Sequence, residues 1–87
     1  MSATMQGVRV RGYDGSWLLE PGEYARHPVD GIWYANAPNG LLANLGNHDV
    51  TEHEDGTITV SPSILVSRGD DGPRWHGFLE RGVWREC

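Results

Sequence analysis

The stretch from His48 to Val66, HDVTEHEDGTITVSPSILV, decides how this chain is read. From Thr57 onward apolar and hydroxyl side chains alternate, the period-two signature of a half-buried strand. That period puts Ile58, Val60 and Ile64 on one face and Thr57, Thr59, Ser61 and Ser63 on the other. Asp55-Gly56 favours a tight turn with positive φ, so Val50 to Val66 reads as a hairpin over Glu54-Asp55-Gly56. Pro62 cannot donate to a ladder, which places the strand at a sheet edge or bulges it there. A bulge re-aims side chains and exposes backbone N–H groups.

The rest of the chain follows the same grammar. Twelve Gly and five Pro leave no stretch free of both longer than nine residues, Asn47 to Asp55. Interior Gly costs a helix about 1 kcal/mol and Pro about 3, so helices are not expected. The expected fold is mainly β. It is a small single domain over residues 1–87, an antiparallel sheet or partly open barrel of short strands and hairpins, with little or no helix. Val8-Arg9-Val10-Arg11 should return through Trp17-Leu18-Leu19, with further strands at Glu23–Arg26 and Gly31–Ala35. Residues 41–47 read either as one helical turn or as a loop. Trp75–Leu79 should pair with Val83–Arg85 across Glu80-Arg81-Gly82.

Composition narrows the function. A net charge of −5 argues against a nucleic-acid binder, which needs a basic surface. No apolar run approaches the roughly 20 residues that span a bilayer, so no membrane partner is expected. The opening MSATMQGVRV lacks a charged segment followed by an apolar one, and the single Cys87 suits a reducing compartment; the expected location is cytoplasmic. At 87 residues without an internal disulfide, stability must come from packing by four Trp and three Tyr. All seven basic residues are Arg, the mark of GC-rich coding. No cofactor is expected. His48 and His53 are five apart, not the four of a helical metal pair, and no cysteine pair completes a zinc site. A mixed site with Asp49 and His76 is the alternative to an acidic, solvated hairpin.

The candidate site lies within residues 48–87. Ser63 falls on the polar face at an irregular point of its strand, and His76 lies on the next strand. A serine hydroxyl attacks at neutral pH only if a base takes its proton, and a neutral imidazole is that base. Gly77 would let a substrate or backbone approach closely. A third group could orient the imidazole: Asp49, Glu52 or His53 in the preceding strand, or Asp70 or Asp71. No spacing rule picks one of them; Glu52 or His48 is favoured. The plainer alternative has Ser63 bonding its own Ser-Pro-Ser turn while His76 packs beside Trp75. Arg68-Gly69-Asp70 reads as a polar turn, and the Trp and Tyr set as core.

Asp55 to Ile64, then His76-Gly77-Phe78-Leu79 and Gly82-Val83-Trp84, resemble the BubE-type family of small bacterial and phage domains. That family sits in operons for ubiquitin-like protein conjugation. The resemblance covers about the last 40 residues. It implies a serine peptidase with Ser63 as nucleophile and His76 as general base. The substrate would be a protein or peptide tail, such as that of a ubiquitin-like protein, in a bacterial cytoplasm or a phage-infected host. The chain departs from the family in having Pro73-Arg74-Trp75 before the histidine, where Cys and Ser are usual, and in lacking an upstream Cys-rich stretch. An extended tail would be gripped by strand addition to an open sheet edge. The rival expectations are a non-catalytic phage-encoded inhibitor or adaptor, and a virion structural protein.

Overall fold

The computed structural model describes residues 4–69 and 71–87. The chain is mainly β, with no helix among the described residues. Among the described residues nine strands run in the order β1 (Thr4–Gln6), β2 (Val8–Arg9), β3 (Glu23–Arg26), β4 (Trp33–Asn36), β5 (Leu42–Asn44), β6 (Asp49–Glu52), β7 (Ile58–Ser67), β8 (Arg74–Glu80) and β9 (Val83–Glu86). They form two sheets that do not close into a barrel, one ordered β1-β9-β8-β7-β6 and the other β2-β3-β4-β5.

The two hairpins expected in the second half are present. β6 pairs antiparallel with β7 across a turn in which Gly56 has φ +88°, and Thr57 donates both its N–H and its hydroxyl to the Asp55 carboxylate. β8 pairs with β9 across Arg81 and Gly82, both with positive φ, as a two-residue hairpin turn requires. The first expected hairpin is not formed. Val8–Arg9 instead pairs parallel with β3, and Trp17 to Leu19 is not strand. Gly7 is the reason. One residue separates β1 in the first sheet from β2 in the second, and a Cβ there would lie 2.6 Å from the Gly82 carbonyl oxygen. Only glycine lets the chain change sheets so tightly. Residues 42–44, expected as a helical turn or a loop, form edge strand β5.

The core lies between the sheets. Large side chains of the first sheet (Ile58, Val60, Ile64, Trp75, Leu79, Trp84) meet Tyr24 and the small Ala35, Ala37 and Ala43 of the second. Big against small fills the gap without voids. Trp75 and Trp84 meet edge to face at 5.3 Å, and Trp84 Nε1 donates across the sandwich to the Gly22 carbonyl at 2.9 Å. Asn36 Nδ2 donates to the Leu19 carbonyl at 2.6 Å, which ties the irregular segment before β3 to the second sheet.

Arg9 joins the sheets at the other end. It stacks over Trp33 at 5.0 Å, donates to the Gly56 carbonyl and pairs with Glu52. The hydrogen bond from Arg9, and then its charge, hold the Glu52 carboxyl below the ordinary carboxylate range. Hydrogen bonds from Thr57 to Asp55 and from Ser16 to Asp14 do the same for those two residues. Groups with lowered folded-state values contribute stability above their unfolded values, 4.5 for Glu and 3.8 for Asp, and lose it as pH falls through the folded ones. The urea midpoint should therefore fall as the pH is lowered from about 5. A midpoint that rises below pH 4.5 would contradict this assignment.

Candidate functional site

β7 is flanked by β8 and, as far as Ser61, by β6; Pro62 sits in a bulge on the β8 side and just past the end of β6. On the β8 side the register jumps between Val60↔Leu79 and Ile64↔Gly77, so Ser61, Pro62 and Ser63 together stand opposite Phe78. Two surplus residues preserve the parity of the strand. Ile64, opposite the inward Gly77, therefore lies on the buried face with Ile58 and Val60. The Ser61–Pro62 peptide is cis, and Pro62 is exposed although its parity points inward.

Ser63, the last residue of the bulge, lies beside His76. His76 lies on the solvent face of β8, opposite Leu65, and its Nε2 stands 2.9 Å from Ser63 Oγ. The pair is exposed, above the buried Trp75 rather than packed against it. With the ring proton on Nδ1, Nε2 accepts the serine O–H, the arrangement in which an imidazole takes that proton during attack.

The other candidates fall elsewhere. Glu52 is not brought to His76; its carboxylate pairs with Arg9. His48 does reach Ser63, but at the backbone: Nε2 lies 3.2 Å from the Ser63 carbonyl oxygen. A carbonyl only accepts, so Nε2 carries the proton, and Nδ1 is buried without a partner. His53 Nε2 lies 2.6 Å from the Thr59 hydroxyl oxygen, which also accepts the Arg81 N–H. Asp49 is exposed opposite Ser61, Asp71 is exposed in the β7–β8 loop, and Asp70 lies outside the described residues. No carboxylate bonds His76 among the described residues. They also hold no cluster of three metal-ligating side chains.

Two neighbours differ from expectation. Gly77 faces the core, where a Cβ would lie 2.3 Å from the Arg85 carbonyl oxygen and 2.5 Å from the Trp75 ring. Its bareness makes room for Trp75, not for a substrate. Gly77→Ala should lower stability by about 1–3 kcal/mol through overpacking, read from urea unfolding; a neutral effect would show that the indole has space to move. Cys87, regarded in the sequence only as an unpaired thiol, donates its N–H to the His76 carbonyl at 3.0 Å. It thus extends β9 by one residue and falls opposite His76 on the solvent face. Register signals this neighbour; composition alone does not.

Comparison with protein-family models, with curated proteins and with solved structures finds no match.

Proposed function

We propose that the chain is a serine peptidase-like hydrolase acting on a protein tail, with Ser63 as nucleophile and His76 as its base. The observation that carries this reading is the 2.9 Å contact between Ser63 Oγ and His76 Nε2 on an open face. His76 removes the serine proton as Oγ attacks the scissile carbonyl, and returns it to the leaving amine. Water then releases the acyl group by the reverse sequence. The developing oxyanion needs N–H donors. Pro62 has none. The ladder rhythm set by the Arg68 N–H to Pro73 carbonyl bond directs the Ile64 amide into β8, which leaves Ser63's own N–H as the local donor. Among the described residues no carboxylate stands behind the imidazole, so the pair acts as a dyad and slow turnover is expected. The tail of a ubiquitin-like protein is the substrate suggested by the resemblance in residues 55–84.

A fluorophosphonate reagent tests the reading. It should form an adduct on the wild type and none on Ser63→Ala, as read by intact mass. Equal adducts on both proteins would remove it.

A second reading, a non-catalytic binding protein, has its own support. Tyr13, Trp17, His27 and Tyr34 form a chain of edge-on ring contacts at 5.2–6.1 Å, and Trp17 is 43% exposed. Failure of labelling in the wild type would favour it.

A further inference from the structure

β6 covers only part of its neighbour. Its pairing with β7 ends at Asp49↔Ser61, while β7 runs on to Ser67. Ladder bonds alternate between the two sides of a strand. Arg68 N–H bonds the Pro73 carbonyl, so Val66 and Ile64 also bond toward β8, and Ser63, Leu65 and Ser67 turn their N–H and C=O groups the other way. His48 occupies the Ser63 carbonyl. Among the described residues no strand pairs with Leu65 and Ser67 on that side.

The facing wall is also an edge. β5 is the last strand of the second sheet. Leu41 and Leu45 exchange bonds with β4 through Ala37 and Trp33, so the intervening Leu42 and Asn44 direct their backbone groups outward. Between the two edges lies an open groove of about 310 Å³, lined by β5, His48 and residues 64–67 of β7. Backbone donors and acceptors that find no partner among the described residues line both walls, and Leu42 and Leu65 are exposed at the rim; together they suit one kind of occupant. That occupant is extended polypeptide.

We propose that this groove is the substrate channel: an extended peptide pairs antiparallel with the free edge of β7 at Leu65 and Ser67, and so runs N to C toward Ser63. The sense is set by position. An antiparallel partner here lies in line with β6, and antiparallel pairing is the more stable kind. Its C-terminal end arrives where His48 begins the approach to β6, beside the Ser63–His76 pair. Residues before the scissile bond are held by main-chain bonds, so recognition tolerates varied side chains. Cleavage at Ser63 rests on the peptidase reading; the pairing does not.

The test uses the Ser63→Ala protein, which binds without turnover. Linear twelve-residue peptides selected on it from a random phage-displayed library are titrated into 15N-labelled protein. Amide exchange at Leu65 and Ser67 should slow at least tenfold, with Thr51 and Thr59 unchanged. Peptide N-methylation at alternate positions should weaken binding at least tenfold. Ser67→Pro removes a groove donor but no bond to β8, and should weaken binding similarly with an unchanged CD spectrum. A spin label on the peptide C-terminus should broaden His48 and His76, and one on the N-terminus should not. Selection of no peptide, protection at the β1 or β2 edge instead, or broadening by the wrong end would overturn the proposal. Binding in the groove by a protein that takes no fluorophosphonate would sink the peptidase reading alone. An adduct on Ser63 with peptides bound elsewhere would sink the groove alone.

Discussion

Trp84→Ala should leave the chain largely unfolded at 25 °C. Trp84 is fully buried, meets Trp75 edge to face and donates its indole N–H to the Gly22 carbonyl of the opposite sheet. Truncating a buried aromatic costs about 3–5 kcal/mol, and the orphaned carbonyl adds about 1–3. The total stability of a domain this size is about 4–13 kcal/mol. The urea midpoint, followed by far-UV CD, should drop by roughly 2–4 M if any folded baseline survives. Trp84→Phe keeps most of the apolar contact and loses the hydrogen bond, so it should retain a cooperative transition. An alanine variant within 1 kcal/mol of the wild type would mean that the two sheets do not depend on this side chain.

The second large effect concerns His76. If it takes the Ser63 proton, His76→Ala should slow fluorophosphonate capture of Ser63 by about 10²–10⁴-fold. His76 is exposed on the solvent face, so its removal should cost little stability, and the urea midpoint is the control. Free imidazole added to the variant should restore part of the rate, because the truncation leaves space beside Ser63 Oγ. A wild-type rate in His76→Ala would reduce the 2.9 Å contact to a surface hydrogen bond. Rescue distinguishes a proton acceptor from a side chain that merely holds the strand.

How far the sequence reaches depends on the range of each interaction. The β6–β7 and β8–β9 hairpins were legible because Asp55-Gly56 and Arg81-Gly82 set their turns locally, and alternation set their faces. The Ser63–His76 pairing was legible too, since a hairpin between adjacent strands carries one to the other. The parallel β2–β3 pair was not. It depends on Gly7 passing under the Gly82 carbonyl, a contact between residues far apart in sequence. Pro62 gave a correct sign of irregularity, but sequence could not choose between an edge and a bulge. Glu52 looked reachable from the site because β6 neighbours β7. Register places it opposite Ile58, at the far end of that ladder, where Arg9 takes it. Gly77 and Cys87 were misread or passed over because their neighbours come from other strands.

The register jump in β7 has a consequence for how such a chain can vary. Removing one of residues 61–63 would leave two residues opposite Phe78, an ordinary one-residue bulge, with Ile64 still opposite Gly77 and inside. Removing two would leave the interior intact and restore an even ladder, erasing the reactive surface. The chemistry and the scaffold are therefore separable: this irregularity can shorten by one residue or by two without moving the interior.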